Sequence, residues 1–393
     1  MPWSAIAFPE AIRKTTVGRE NQILSADVKT SGRFPVIDQG QTFISGYCDA
    51  EERVIRDELP LVIFGDHTRC LKYVDFPFIL GADGTKALKP KESLFDAKFF
   101  YYALLSLDIP SRGYNRHFTL LKEKNVPRPE LPEQRKIADV LAVVQRAMEQ
   151  QERLLALTTE LKKVLLHKLF TEGLRGEPQK QTEIGPVPES WEVFGLQDLC
   201  QLIVDCPHTT PKFQTEGIRV ARNFNIRKGH FVPEPASFTS EEDYRLRTKR
   251  VEPLPGDILF SREAPVGEAC VIPDGMKVSL GQRTMLLRPH AVKLDAQFMV
   301  YSFYSRNVRS RMFATASGLT VPHLNVADVR SLLVPIPSLE AQQRIASAIL
   351  TVDTKGECHR IKRAAFADLF RTLLYHLMTA QIRVHDLELP GLN

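Results

Sequence analysis

Twenty side chains in this sequence are of the types that grip phosphate oxygens and hydrogen-bond flat heterocycles, and they fall in polar stretches between apolar runs. The first part of the chain carries His67, Thr68 and Arg69 just after Asp66, then Arg112, Asn115, Arg116 and His117. A later part carries His208, Thr209, Thr210 and Lys212 after Asp205, followed by Arg222, Asn223 and Asn225. Arg262, the run Gln282, Arg283 and Thr284, and finally His323 and Asn325 complete the set. Arg offers a planar fork of five donors, Asn and Gln a donor beside an acceptor, and Lys a compact charge. Those are the groups that read base edges and hold phosphates. Taken singly, each is more often a turn residue or solvated surface; the weight lies in two sets of similar polarity and different detail.

Other chemistries find less support. GADGTK (81–86) lacks the GxxxxGK[ST] spacing of a phosphate loop and reads as a β-turn. A base-modifying methyltransferase needs a Gly-rich cofactor turn and an Asn/Asp-Pro-Pro-aromatic grip on the flipped base. Neither motif occurs, and no Ser-His-Asp or Cys-His order repeats, so no catalytic residue is assigned. The six cysteines form no CxxC pair, and Cys200, Cys206 and His208 lack a fourth ligand at zinc spacing, so no metal site is assigned either. The chain has 393 residues, 43% hydrophobic and 25% charged, with a net charge of +5. That length allows two or three domains. No apolar run is long enough to span a bilayer and no signal segment is visible, so no membrane is expected and a cytoplasmic setting is.

The elements that must position these side chains are written twice. VPRPELPEQRKIA (126–138) returns as VPIPSLEAQQRIA (334–346), and the same offset gives 16 identities across the 50 positions 126–175. DAKFFYYALLS (96–106) returns as DAQFMVYSFYS (295–305), and PLVIFGDHT (60–68) resembles GDILFSREA (256–264). From Leu131 to about Thr171 there is no Gly or Pro after Pro132, which suits a first helical turn; Gly173 and Gly176 then end the helix. Alternating steps of four and three from Ile137 and from Ile345 are mostly apolar, a heptad seam in each copy. Some 40 residues make a rod of roughly 60 Å. Two such seams in one chain satisfy each other best as an antiparallel pair. LPLVIFGD, KYVDFPFIL, GIRVARNFNI, GDILFSRE and KVSLGQRTMLLRP have strand composition, and Asp96 and Asp295 suit the N-caps of short helices.

On these residues the sequence resembles the DNA specificity subunit of type I restriction–modification enzymes. The resemblance spans nearly the whole chain and rests on LPEQRKIA with its echo at 339–346, the paired helices, LVIFGDHTR with FILGADGTKAL, and DCPHTTP with PGDILFS. It implies an α+β fold: two strand-rich α/β target recognition domains (1–130 and 186–337) separated and joined by two long antiparallel helices (131–176 and 338–385), with pseudo-two-fold internal repetition. It further implies a non-catalytic chain that binds double-stranded DNA, each domain reading one half of a split target. The implied partners are two modification subunits, which use S-adenosylmethionine, and restriction subunits, which use ATP and Mg; this chain holds none of those cofactors. Gln134, Arg135 and Lys136, with Gln342, Gln343 and Arg344, are the expected partner-docking residues at the helix starts. A stand-alone methyltransferase or nuclease, or a coiled-coil adaptor without a nucleic-acid role, are the competing readings.

Overall fold

The computed structural model describes residues 2–82, 84–111, 113, 115–318 and 322–386. Its contacts divide the chain into two units, Met1–Arg153 with Arg360–Asn393, and Leu154–His359. The division passes through both long helices, Leu131–Glu172 and Leu339–Met378, so each unit owns part of each. The helices are thus components of both units rather than separate bodies.

In the first unit a four-stranded antiparallel sheet is ordered Ile12–Arg13, Thr85–Pro90, Leu61–Gly65, Leu71–Val74. LVIFG lies inside it, buried at all five positions, as an apolar run covered on both faces must be. A second sheet is ordered Gln22–Ile23, Ile79–Gly81, Phe34–Ile37, Gly46–Cys48, and Ile79–Gly81 runs parallel to both its neighbours. Ser4–Ala7 pairs with Asn125–Arg128, and the latter strand leads into the first long helix.

The second unit repeats the plan. Cys200–Asp205, Thr284–Pro289, Ile258–Ser261 and Ala269–Val271 form a sheet of the same order. Ile218–Ala221 lies parallel to Val278–Leu280 within a second sheet. Glu192–Gly195 pairs with Leu333–Ile336 and leads into the other long helix. The five strand-like segments of the sequence all contain strands. The repeat also begins earlier than its identities suggest: Trp3 and Trp191 each precede a strand, then a four-residue helix, Phe8–Ala11 or Leu196–Leu199.

Within each unit the helix segments pack antiparallel. In the first, Ile137, Ala138 and Leu141 share a core with Leu377 and Met378. In the second, Phe170 shares one with Ile345, Ala346 and Ile349. Burying each of the larger side chains among these contributes about 1.5–3 kcal/mol. The first helix stops where Gly173 and Gly176 adopt φ of +67°. Gly356, the polar-looking gap in the second seam, lies against the first helix: a Cβ there would meet the Thr158 hydroxyl at 3.4 Å.

Two buried glutamines join helix to domain. Gln134 Oε1 accepts the Asp96 N–H at 2.8 Å, and its Nε2 donates to the carbonyls of Leu94 and Pro129, both at 2.9 Å. Gln342 repeats this: Oε1 accepts the Asp295 N–H at 2.9 Å, and Nε2 donates to Lys293 at 2.9 Å and Pro337 at 3.0 Å. Asp96 and Asp295 themselves cap the short helices, accepting from Phe99 N at 2.9 Å and Phe298 N at 2.8 Å. This corrects the expectation for Gln134 and Gln342. Both are 0% exposed, spent inside their own unit, and present nothing to a partner.

Further along, the copies diverge. The Tyr102 hydroxyl donates to Gln145 at 2.9 Å and its ring meets Phe370 at 5.9 Å. At the matching places of the second unit stand Tyr301, Asp353 and Lys162. Asp353 accepts from Lys162 at 2.8 Å and from Tyr301 at 2.9 Å, and His230 approaches it at 3.2 Å. Burial pushes the Asp353 carboxyl upward, but the hydrogen bonds from His230 and Lys162 and the Lys162 charge outweigh it and hold the group below the usual carboxylate value.

Two outcomes follow from these contacts. Gln134→Leu strands one buried N–H and two carbonyls, so urea unfolding should show a loss of about 2–4 kcal/mol, while exposed Arg135→Ala stays within about 0.5 kcal/mol. A depressed folded-state pKa adds stability above the unfolded value and loses it as pH falls. The stability gap between wild type and Asp353→Asn should therefore be wide at neutral pH and close progressively below about pH 4. Denaturation at pH 7 and pH 3 measures it.

Candidate nucleic-acid interface

In the second unit the parallel strands Ile218–Ala221 and Val278–Leu280 place Ala221 opposite Leu280, so the residues that follow leave the same end of the sheet. Arg222 and Asn223 come from one strand, Gln282 and Arg283 from the other. With Thr210, Pro211 and Phe213 they line a cavity of about 250 Å³. Five of the sequence-derived candidates are thereby brought together. Gln282 Nε2 donates to the Thr210 hydroxyl at 3.1 Å. The Arg222 guanidinium sits 4.6 Å from the Phe224 ring centre and 5.3 Å from that of Phe213, the geometry of cation–π stacking. Asn223 Nδ2 donates to the carbonyls of Ala264 at 2.5 Å and Glu263 at 3.4 Å, which ties the cavity to the loop after Ile258–Ser261.

Around this centre, Asp205 pairs with Arg262 at 3.2 Å and His208 at 3.4 Å. His323 bridges to Glu263, and Lys212 and Thr209 lie exposed nearby in sequence. Arg283 faces Glu263 at 3.5 Å and holds φ at +70°. Three candidates do other work. Asn225 is buried and donates to Val232 and Pro235 carbonyls; Thr284 is buried and donates to Gly281; Asn325 caps Val326–Arg330 by accepting the Asp328 N–H at 2.9 Å. Each is a short polar side chain that satisfies backbone at a turn, which in sequence looks the same as a recognition residue.

Lys249 and Arg250 were missed. They are exposed and line a second cavity of about 250 Å³ with Asp205, His208 and Arg247. The signal was present in the basic run RLRTKR (245–250). Cys200 and Cys206 belong to different core clusters, and burial pushes the Cys200 thiol up to about 12, as befits an inert core side chain.

The first unit builds the same frame from different side chains. Strand Phe34–Ile37 sets Ile37 opposite Leu80 and is followed by Asp38 and Gln39. Gln39 Oε1 accepts the His67 N–H at 3.1 Å, and its carbonyl accepts the Thr68 hydroxyl. Gln39 thus clasps the loop after Leu61–Gly65 as Asn223 does in the other unit, a residue the sequence did not single out. Arg69 donates to the Ile109 carbonyl at 2.8 Å. His117 is fully buried: its Nδ1 donates to the Asp66 carbonyl at 2.9 Å, and it cannot reach a ligand. Asn115 and Arg116 are exposed, and Arg112 lies outside the described residues. At the helix starts Arg135, Lys136, Gln343 and Arg344 are exposed. An apolar stripe missed by the sequence, Leu157, Leu161 and Val164, is about half exposed at helical spacing on the first long helix.

The type I restriction modification DNA specificity domain model matches residues 188–365. The chain is similar to the MjaX type I restriction enzyme specificity subunit of Methanocaldococcus jannaschii, 25% identical over 321 residues, 78% of this chain and 73% of that one. It is 24% identical to the MjaVIII specificity subunit of the same organism over 67% of this chain and 63% of that one. The EcoBI specificity subunit of Escherichia coli is 22% identical over 78% and 69%. A solved type I restriction-modification S subunit from M. genitalium has the same fold, with TM-score 0.65, 16% identity, and coverage of 95% of this chain and 96% of that one.

Arg283 is a non-glycine residue in left-handed backbone, where the first unit has Gly84, also at φ +70°. The arrangement costs stability and keeps a cation at the cavity. Arg283→Gly should raise stability by up to about 1 kcal/mol, whereas Arg283→Ala should not, and urea midpoints of the two variants decide it.

Proposed function

We propose, for a chain that belongs to the type I restriction–modification DNA specificity family, that each unit reads one half of a bipartite double-stranded DNA target. As a specificity subunit it is non-catalytic and serves to direct the reaction of its complex to a sequence. The observation that carries the two-reader proposal is the duplicated sheet frame, whose equivalent connections end in different polar side chains. Arg and Gln at the cavity supply base-edge donors; His208, Lys249 and Arg250 supply contacts of the phosphate-holding kind. The long helices, each continuous from one unit into the other, act as the spacer between half-sites.

Methyl transfer to adenine and DNA cleavage belong in this reading to partner subunits: two modification subunits with S-adenosylmethionine, and restriction subunits with ATP and Mg. Arg135 and Lys136 in the first unit, and Gln343 and Arg344 in the second, are the docking residues we assign to them; within the second unit the stripe of Leu157, Leu161 and Val164 is a further docking surface, since a run of half-exposed apolar side chains favours coverage by a partner. No helix among the described residues is long and apolar enough to cross a membrane. A cytoplasmic setting is part of the proposed reading, since the chain must reach its DNA.

The experiment is module exchange. Residues 186–333 are replaced by the equivalent region of a relative, the chain is co-expressed with its modification subunits, and methylated sites are mapped genome-wide. One half of the target should change and the other half and the gap should stay. A change of both halves together would overturn the two-reader proposal.

A further inference from the structure

The two units place opposite charges at the same point of the same frame. Ala221 lies opposite Leu280 in one unit as Ile37 lies opposite Leu80 in the other, and both leucines precede a glycine, Gly281 or Gly81. The next residue is therefore Arg222 in the second unit and Asp38 in the first. The glycines confirm the match: a Cβ on Gly281 would lie 3.1 Å from Arg222 Cγ, and one on Gly81 would lie 2.5 Å from Asp38 Cβ.

Arg222 is built to present its fork. Its guanidinium lies over the rings of Phe224 and Phe213, and among the described residues it has no carboxylate or carbonyl acceptor for its N–H groups. A guanidinium that lies against two rings yet is unspent is complementary to two acceptors side by side. Guanine offers such a pair in the major groove, O6 and N7. Asp38 is the reverse. One carboxylate oxygen accepts the Gly40 N–H at 2.8 Å and faces Lys72 at 3.4 Å, and its side chain is one-third exposed. A carboxylate repels O6 and N7 and accepts from the exocyclic amine of cytosine or adenine.

Building on the two-reader proposal, we infer that Arg222 reads a guanine in the half-site of the second unit, while Asp38 selects a base presenting an exocyclic amine at the equivalent step of the other half. The assignment makes specificity at this step a matter of charge sign on a common frame.

The test uses the full chain co-purified with its modification subunits, and binding to a duplex of the mapped target. Replacing the guanine by 7-deazaguanine removes N7 without disturbing Watson–Crick pairing. At one guanine of the second half-site this should weaken wild-type binding by about 5–100-fold and leave Arg222→Ala indifferent. Arg222→Gln should shift the preferred base there from guanine toward adenine, since Gln pairs with adenine N6 and N7. Asp38→Asn should relax one position of the other half only. If Arg222→Ala instead weakens all sequences alike and flattens the salt dependence, Arg222 is a phosphate contact and the guanine assignment falls, with the two-reader proposal untouched. If the wild-type complex shows no two-part target at all, it is the proposal beneath that fails.

Discussion

One amide side chain, used twice, fixes where each long helix starts and which way it leaves its domain. Gln134 and Gln342 each hold three backbone groups from three places: the residue before a short helix, the turn ahead of it, and the proline strand that feeds the long helix. Only a side chain with an acceptor and a two-proton donor on one plane can do this, and Glu or Leu in its place leaves buried groups unpaired. The prolines around it act in the same sense by restricting the chain before the helix begins. Direction matters here because a small angular error at the start of a roughly 60 Å helix becomes a large displacement at its end.

With the starts fixed by the same clamp, the interior of each unit is free to use different chemistry. The first unit joins helix to domain with a neutral Tyr102–Gln145 bond and the ring of Phe370; the second uses Lys162, Asp353, Tyr301 and His230. A buried ion pair is weak support for stability but a strict condition on pairing, because either charge set against an apolar partner is penalised by several kcal/mol. Two seams descended from one sequence risk slipping by a heptad or pairing copy with copy. Lys162 facing Asp353, where the other unit has Phe370 and Gln145, makes the mispaired alternatives costly.

Much of this was legible in the sequence because it is local or repeated. The duplication, the capping aspartates, the proline-led starts, the glycine stop and the strand-rich segments follow from short patterns whose physical meaning does not depend on distant residues. What was not legible depends on tertiary partners. Gln134 looks like any polar residue on a first turn until Leu94 and Asp96 arrive from about 40 positions upstream. His117, Asn225 and Thr284 belong to polar types that recognition loops favour, but their partners are backbone groups supplied by the fold. Gln39 escaped because nothing in IDQGQ marks its amide as the clasp for a loop that begins nearly thirty residues later. Trp3 and Trp191 were overlooked as the first step of the repeat because the strands after them share a geometry and almost no identities.

The division of labour between backbone and side chain accounts for how one module can be kept and respecified. Clasp residues Gln39 and Asn223 bond mostly to main-chain groups of the neighbouring loop, so they constrain its path and not its side chains. The Gly84 and Arg283 positions share a carbonyl that accepts from the start of the adjacent loop, Asp66 N at 2.6 Å and Arg262 N at 2.9 Å, and share φ of +70°. A left-handed turn with that bond defines the place of the side chain whether or not there is one. Glycine is the relaxed choice; arginine is tolerated because the surrounding backbone bonds over-determine the turn. Side chains at Asp38 or Arg222, and at Gly84 or Arg283, can therefore change in size and sign of charge while the sheet that carries them stays in register. A frame whose shape is held by main-chain hydrogen bonds is the physical condition under which two copies of one module come to differ at their binding face while keeping the same sheets.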